Sequence, residues 1–343
     1  MKAARIHAYG DPDVLQVDDA PAPVAGKGQV LVDVFASSVN PIDCKIRKGV
    51  LRAGLRYDLP RTLGMDLSGV VAAVGEGVTR WKVGDEVIAS PNPKTPGTYA
   101  EQSVVDDAEL GRKPKNLTHA EAASLPLVFL TAWQALVDKA KLKAGERLLV
   151  QAGAGGVGTV AIQIGKHLGA HVLTTCSAKN ADLVRSLGAD DVIDYREVQW
   201  DAVAQHIDVV LDALGLPEAR RAYKVMNKGG RIVGISTGLP ERVAKAGPVL
   251  GLAGTGIAMG CAMLGSRLRG HPSWYITRKP DGSQLDHLAD LCERGVIRPV
   301  IDTVYPLEQI AEAHRHSDSG RARGKLVIQV RAAGSLAPPG LRR

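Results

Sequence analysis

The feature that most constrains this chain is a glycine-rich turn between a short apolar run and a longer segment of helical length. Arg147 to Gln151 has the size and composition of a β-strand, and the turn Ala152 to Gly158 (AGAGGVG) follows it directly. From Thr159 apolar residues recur through a helix-length segment, and His171 to Cys176 again has strand character. This order of elements predicts one βαβ unit of a doubly wound parallel sheet.

The turn also has the spacing of a dinucleotide-binding site, because Gly153, Gly155 and Gly158 satisfy the pattern GxGxxG. A turn without side chains lets backbone N–H groups approach a pyrophosphate at a helix N-terminus, where free donors and the helix dipole favour anions. A purely structural glycine turn is the alternative. The predicted cofactor-binding residues of the turn are Gly153, Ala154, Gly155, Gly156, Val157 and Gly158.

The end of the second strand indicates which dinucleotide binds. An NAD-binding unit usually places an acid there to accept from the ribose hydroxyls, but the residues after Cys176 are Ser177, Ala178, Lys179 and Asn180. A hydroxyl and an ammonium would bind a 2′-phosphate through charge-assisted hydrogen bonds. Ser177 and Lys179 therefore predict NADP(H), against the alternative that they belong to a solvated loop.

Size and charge limit the classes of function. A chain of 343 residues suggests two domains, and its net charge of +7 suits an anionic cofactor. No basic patch interleaved with aromatic residues argues for nucleic acid. The cysteines are scattered without a CxxC pair, and the N-terminus has no apolar stretch of signal length, so we expect reduced thiols and a cytoplasmic protein. These cysteines are Cys44, Cys176, Cys261 and Cys292.

One segment has to be weighed as a membrane span. Ala246 to Gly265 is twenty residues without a charge, but it contains six glycines and Pro248. Segments rich in glycine insert weakly into membranes. We therefore expect a buried or cleft-lining helix and no membrane association.

The rest of the chain divides into two patterns. The N-terminal third has short strands between turns, including Gln29 to Ser38, and Thr118 with Glu121 forms a capping box at a helix start. Beyond Lys179, strands and helices alternate, with one strand, Arg231 to Ile235, after a Gly229–Gly230 turn. The expected fold is α/β, with a Rossmann domain (125–280) inserted in a β-rich domain (1–124 plus 281–330) and a disordered tail (331–343).

Several separate motifs, in order along the chain, carry a family resemblance. They are Ala36 to Asp43, Leu63 to Val71, Val83 to Val87, Ala122 to Pro126, Leu130 to Trp133, the glycine turn, Leu187 to Asp190 and Arg323 to Lys325. With these motifs the chain resembles the zinc-independent quinone oxidoreductase branch of the medium-chain dehydrogenases/reductases. Gly188 to Tyr195 and Ile297 to Ile301 also resemble the reticulon-interacting NADPH oxidoreductase subgroup. The resemblance implies a GroES-like catalytic domain beside the Rossmann domain, and a homodimer formed at an edge strand near Trp274 to Thr277.

The same resemblance indicates that no metal is bound. Zinc-dependent members have Cys where this chain has Asn40, and His-Glu where it has Met65 and Asp66. Ser90 to Thr98 lacks the four cysteines of a structural zinc lobe. The pair His314 and His316 is expected at an exposed helix end rather than at a metal site.

Without a metal, the expected chemistry is hydride transfer from NADPH to an electron-poor acceptor, a quinone or a conjugated enone. By resemblance, Asn40 lines the nicotinamide pocket and can donate through its amide. The resemblance also places Thr131 beside the cofactor and Tyr195 near the 2′-phosphate.

Lys45 is the second catalytic candidate beside Asn40. In a partly apolar cleft a lysine can have its pKa lowered and donate a proton to the reduced acceptor. The alternative is a solvated cationic face shared with Arg47 and Lys48. At the level of the whole protein two alternatives stay open: an NADP-binding regulatory or interaction protein with little turnover, and a disfavoured zinc alcohol dehydrogenase.

Overall fold

The computed structural model describes residues 1–52, 57–215, 220–236 and 239–331. Most of the expected 331–343 tail lies outside these ranges. The strands are β1 (Lys2–Ile6), β2 (Leu15–Asp19), β3 (Gln29–Val39), β4 (Arg61–Thr62), β5 (Leu67–Val74), β6 (Glu86–Ala89), β7 (Gln102–Asp106), β8 (Leu110–Arg112), β9 (Arg147–Val150), β10 (His171–Cys176), β11 (Asp191–Asp194), β12 (Ile207–Asp212), β13 (Met226–Gly234), β14 (Ser273–Tyr275), β15 (Ile301–Pro306) and β16 (Lys325–Gln329).

The α-helices of the same ranges are α1 (Pro41–Arg47), α2 (His119–Ala123), α3 (Pro126–Trp133), α4 (Gly156–His167), α5 (Ala181–Ser186), α6 (Trp200–Val203), α7 (Leu239–Leu268), α8 (Gly282–Glu293) and α9 (Ile310–Asp318). Short 3₁₀ turns lie at Pro12–Val14, Asp107–Glu109, Ala178–Asn180 and Leu307–Gln309, and a π-helical turn at Gln134–Lys139 continues α3. The capping box at Thr118 is confirmed, since Thr118 and Glu121 bond reciprocally at the start of α2.

A six-stranded parallel sheet forms the centre of the nucleotide-binding part. Its strand order is β11-β10-β9-β12-β13-β14, with the glycine turn after the central strand β9. One boundary differs from the expectation: β13 begins at Met226, before the Gly229–Gly230 pair. The two glycines lie in an irregularity of register between β12 and β13 rather than in a separate turn.

A second sheet combines both ends of the chain. Its order is β15-β16-β3-β5-β6-β8, and β7 also pairs with β3. Strand β16 runs antiparallel to β3, with Leu326 opposite Val39. The section beyond Pro280 therefore completes the sheet that the N-terminal third begins. The remaining sheet joins β2, β1 and β4.

Helix α7, which is interrupted by a non-helical residue at Gly247, contradicts the expectation of a buried or cleft-lining helix. Among its described side chains, the buried positions are the small or polar residues Gly251, Thr255 and Ser266, while Ile257 and Leu264 are 69% and 61% exposed. Among the described residues, Val249–Leu268 is the one stretch long and apolar enough to cross a membrane, and 17% of it is buried. The sequence pattern revealed the helix but not which face packs on the protein.

Helices α1 and α9 correct two further expectations. Arg47 is buried instead of solvated, and its guanidinium lies 2.5 Å from the carboxylate of Asp318, which also accepts from Lys48 at 2.9 Å. His314 is buried in α9 rather than exposed at a helix end, and burial lowers its pKa to about 3. Local charge and histidine spacing did not reveal that the two helices pack together.

Candidate active site

Packing explains two of the three fingerprint glycines, and the other leaves space for a ligand. A Cβ on Gly153 would lie 1.9 Å from the Thr174 hydroxyl, and one on Gly158 would lie 2.3 Å from the Ala152 carbonyl. A Cβ on Gly155 would meet only that carbonyl, at 3.3 Å. Because the protein crowds Gly155 on one side only, the open backbone there fits the close approach of a cofactor.

The glycine turn also forms the N-terminus of a helix long enough to bind an anion. Gly155 is the N-cap of the twelve-residue helix α4, and no side chain of the described residues caps it. The first N–H groups of a helix have no partner within it, and the helix dipole places positive potential there. These donors fit the pyrophosphate of a dinucleotide.

The residues expected at the 2′-phosphate meet at the ends of β10 and β11. Cys176 pairs with Asp194, so Ser177 and Tyr195 leave neighbouring strands side by side. Ser177 is buried, whereas Lys179 is exposed and Tyr195 is 53% exposed. The group therefore presents an ammonium and a phenol to solvent at one sheet edge, next to the buried hydroxyl of Ser177.

A further cation at this edge was missed in the sequence. The guanidinium of Arg196 lies 5.9 Å from the centre of the Tyr195 ring. The carboxylate of Asp194 is held by the N–H groups of Ala178 (2.8 Å) and Arg196 (2.9 Å). Since Arg196 directly follows the tyrosine named from the resemblance, its position in the sequence could have revealed it.

Asn40 lies at the start of α1 in a buried polar cluster. Its side-chain N–H₂ donates to Asp66 at 2.7 Å and to the Ser38 carbonyl at 3.3 Å, while its side-chain oxygen accepts from the Lys325 ammonium at 2.6 Å. The amide therefore has partners at both ends in this structure. Lys325 was missed as a site residue, although it lies in the motif Arg323 to Lys325.

Asp66 is the centre of this cluster. Besides Asn40, its carboxylate accepts from the Ser38 hydroxyl and from the backbone N–H of Leu127, each at 2.7 Å. The Lys325 ammonium lies 3.7 Å away. A buried carboxylate is stable only when donors and a countercharge satisfy it, and these neighbours provide both.

Asp43 supports Asn40 from within α1. Its carboxylate accepts from the Asn40 backbone N–H at 2.9 Å and from the Tyr99 hydroxyl at 3.1 Å. Burial raises the pKa of Asp43 to about 7, and the charge of Asp66 adds to the increase, while the bond from Asn40 and the charge of Lys325 oppose it. Asp43 therefore has a local role at the start of the helix.

The remaining candidates lie on α1 and α3. Lys45 is half-buried on α1. Thr131 is buried on α3, and its hydroxyl donates to the Leu127 carbonyl at 2.7 Å, so its oxygen can still accept a bond. Helix α3 links the two parts of the site, because the N–H of Leu127 binds Asp66 and Val128 lies next to Gly156.

Two further observations concern possible metal ligands and the thiol of Cys44. Across the described ranges, no group of three or more His, Cys, Asp and Glu side chains is arranged to hold a metal ion. Burial raises the pKa of Cys44 to about 12, which keeps that thiol protonated.

Comparison with known proteins agrees with this architecture. An alcohol dehydrogenase GroES-like domain matches residues 26–115, and a family described as zinc-binding dehydrogenase matches residues 187–328. The mitochondrial NAD(P)H oxidoreductase RTN4IP1 of Danio rerio is 35% identical, with 96% of this chain and 91% of the relative covered. The chloroplastic NADPH-dependent alkenal/one oxidoreductase of Arabidopsis thaliana is 34% identical, with coverages of 96% and 79%.

Solved structures have the same fold. The quinone oxidoreductase from Coxiella burnetii superposes with a TM-score of 0.84 at 32% identity, over 96% of this chain and 99% of that one. The Escherichia coli quinone oxidoreductase complexed with NADPH gives a TM-score of 0.81 at 26% identity, over 96% and 100%.

A parallel nucleotide sheet with an uncapped glycine turn, joined to a GroES-like domain, defines a dinucleotide-dependent oxidoreductase. The chain belongs to the medium-chain dehydrogenase/reductase family. Within that family it is an NAD(P)H-dependent oxidoreductase of the quinone oxidoreductase type.

Proposed function

We propose that this protein uses NADPH to reduce a quinone or a conjugated enone without zinc. The observation that carries the proposal is the buried cluster in which Asp66 faces the amide of Asn40 and the ammonium of Lys325. An amide, a carboxylate and an ammonium are poor surroundings for zinc, which needs Cys or His donors around one centre. An acceptor must then be activated by its own conjugation.

The preference for NADPH rests on the edge formed by Ser177, Lys179, Tyr195 and Arg196. A 2′-phosphate would gain charge-assisted hydrogen bonds from these groups. Asp194 is the acid at this edge, and its carboxylate is engaged by backbone N–H groups. The names of relatives also include an NADPH-dependent alkenal/one oxidoreductase.

The proposed turnover adds one hydride and one proton to the acceptor. Bound NADPH supplies the hydride, and the enone becomes a saturated carbonyl compound or the quinone a hydroquinone. We assign to Asn40 and Thr131 the positioning of the nicotinamide, and to the half-buried Lys45 the donation of the proton.

The test is loss of NADPH absorbance with a panel of quinones, enones, simple aldehydes and alcohols, together with the zinc content of the purified protein. We expect turnover with quinones or enones only, and less than stoichiometric zinc. Tight NADPH binding without turnover of any acceptor would favour a regulatory protein. One zinc per chain with alcohol oxidation would restore the zinc dehydrogenase alternative.

We also propose a homodimer. Strand β14 ends the nucleotide sheet, and the adjacent helix α7 exposes Val249, Ile257, Leu264 and Leu268 outward. Contiguous exposed apolar residues on a folded chain often mark a contact with another molecule. A two-fold arrangement would bring both the edge strands and the helices of two copies together.

Two further proposals concern the domain division and the location of the protein in the cell. We propose the domain division expected above, with the nucleotide-binding domain inserted between 1–124 and 281–330. We also propose a cytoplasmic location, which subcellular fractionation tests. Recovery in an organelle fraction would contradict a cytoplasmic location. Two relatives are named as mitochondrial and chloroplastic.

A further inference from the structure

One side chain, that of Lys325, joins the cofactor turn to the polar cluster. Lys325 is the first residue of β16, and the preceding Gly324 donates its N–H to the Ala154 carbonyl at 2.8 Å. The Lys325 ammonium donates to the Val39 carbonyl at 2.9 Å and to the Asn40 side-chain oxygen at 2.6 Å. The side chain is almost completely buried, so its end cannot move to solvent without breaking these bonds.

The methylene stem of Lys325 has its own contact. A Cβ on Gly156 would lie 2.8 Å from Cδ of Lys325, and 3.2 Å from a methyl group of Val128. Glycine at position 156 thus makes room for a lysine stem that lies against the turn. The same residue reaches the first turn of α4 with its stem and Asn40 with its ammonium.

The neighbouring charges of Lys325 and Asp66 determine the orientation of the Asn40 side-chain amide. Its oxygen faces the Lys325 ammonium, and its N–H₂ group faces the Asp66 carboxylate. A reversed amide would place oxygen against the carboxylate and N–H₂ against the ammonium, which is repulsive on both sides in a low-dielectric interior. Removal of the ammonium would also leave Asp66 without this countercharge.

We infer that Lys325 is a positioning residue: its ammonium holds the Asn40 amide in one orientation, and its stem supports the glycine turn that binds the cofactor. The kinetic part of the inference rests on the proposed function, because it assumes that Asn40 lies at the nicotinamide. The structural part concerns Lys325, Asn40 and the turn alone, so NADPH binding can test it without turnover.

Two substitutions separate the ammonium from the stem. Lys325→Met keeps the stem without the charge, and Lys325→Ala removes both. We expect Lys325→Met to lower kcat at least tenfold while the Kd of NADPH changes less than threefold. Lys325→Ala should lower kcat similarly and also raise the Kd at least fivefold. If the Met variant does not fold, Lys325→Gln, which retains a donor for Val39, takes its place with the same expectation.

Lys113→Met is the matched control. Lys113 is another buried ammonium, paired with Glu86 at 3.2 Å outside the site. Its loss should lower stability without changing kcat per folded molecule. A Lys325→Met protein with wild-type kcat, or with the same loss of NADPH affinity as Lys325→Ala, would overturn the inference.

A double-mutant cycle tests whether Lys325 acts through Asn40. In an Asn40→Ala background, Lys325→Met should cause little further loss of kcat, whereas independent, additive losses would contradict the inference. If the wild-type protein reduces no acceptor, the proposed function fails. The fluorescence of bound NADPH then tests whether Lys325 is a positioning residue. Its emission should shift in Lys325→Met but not in Lys113→Met, and unchanged emission in both would reject the role of Lys325.

Discussion

The buried carboxylate of Asp43 accepts the backbone N–H of Asn40 at 2.9 Å, so an acid three residues into α1 fixes the residue that begins the helix. Burial disfavours the charged form of this acid, and the charge of Asp66 adds to the effect. The start of α1 therefore carries a group that titrates near neutral pH.

The first prediction concerns the pH dependence of stability. Asp43, with its pKa of about 7, keeps its proton in the folded protein up to about neutral pH, but in the unfolded chain it loses the proton near pH 4. Its contribution to the free energy of unfolding therefore decreases as pH rises from about 4 to about 7, by on the order of 4 kcal/mol. Asp43→Asn should remove this decrease, as measured by urea unfolding at pH 5 and pH 8.

Asp182→Asn is the control for that experiment, because the Asp182 side chain is fully exposed. It should leave the pH dependence of the wild type unchanged. An Asp43→Asn protein that retains the wild-type slope would show that this carboxyl does not titrate as described.

The second prediction concerns the 2′-phosphate. Lys179→Ala and Arg196→Ala should each weaken NADPH binding roughly tenfold or more, since a hydrogen bond to a charged group contributes about 1.5 to 3 kcal/mol. NADH lacks that phosphate, so its Kd should change less than twofold. Fluorescence titrations with NADPH and with NADH measure the two Kd values. Lys143→Ala, at an exposed lysine, is the control. Equal losses for the two cofactors would contradict the assignment.

The third prediction separates the roles of the glycines. Gly158→Ala should destabilise the protein by several kcal/mol, because the added Cβ would overlap the backbone at Ala152 and Gly153. Gly155→Ala should lose much less stability than Gly158→Ala, because its Cβ would meet only the Ala152 carbonyl at 3.3 Å, but it should bind NADPH at least tenfold more weakly. Thermal unfolding and cofactor titration of both variants give the comparison. A Gly155→Ala protein with normal affinity would place the pyrophosphate elsewhere.

The fourth prediction tests Lys45 as the proton donor. Lys45→Ala should lower turnover of an enone at least tenfold with little change in the Kd of NADPH. Lys48→Ala is the comparison, since Lys48 is paired with Asp318 and should keep its rate. Unaltered rates in Lys45→Ala would assign this lysine to the surface of α1.

The fifth prediction concerns assembly. Ile257→Glu combined with Leu264→Glu places charges on the outward face of α7 and should convert a dimer into a monomer of 36.2 kDa in light scattering. Val83→Glu changes an apolar residue that is 60% exposed elsewhere and should leave the mass unchanged. A wild-type protein that is already monomeric at micromolar concentration would contradict the dimer.

Much of the fold follows from local patterns in the sequence. The segment from Arg147 to Gly158, with the helical pattern that follows it, predicts the central strand and its helix. Strand length, glycine spacing and helical periodicity are local properties of the sequence. The capping box at Thr118 is equally local, and it is present as expected. Local patterns predict strand ends less well. The Gly229–Gly230 pair suggested that β13 begins after it, but β13 begins at Met226 because a register irregularity accommodates the two glycines.

The contacts that define the site could not be predicted in the same way. Lys325 and Asn40 are 285 positions apart, and only the pairing of β16 with β3 brings them together. Likewise, Arg47 lies in a cationic run that is typical of a solvated face, but in the fold it pairs with Asp318 of α9. Burial depends on the neighbouring elements, and a single sequence does not encode those neighbours in any short window.

The pairing of β16 with β3 has a consequence for synthesis of the chain. Every strand of the nucleotide sheet lies between Arg147 and Tyr275, so that sheet can form before residues 325–329 leave the ribosome. The sheet that carries Asn40 is complete only when residues 325–329 have been made, later than every strand of the nucleotide sheet. During that interval the edge of β3 at Ala36 to Val39 is unpaired, although Gln29 to Asp33 can already pair with β7. An open strand edge is a place where an unfinished chain can pair with another chain.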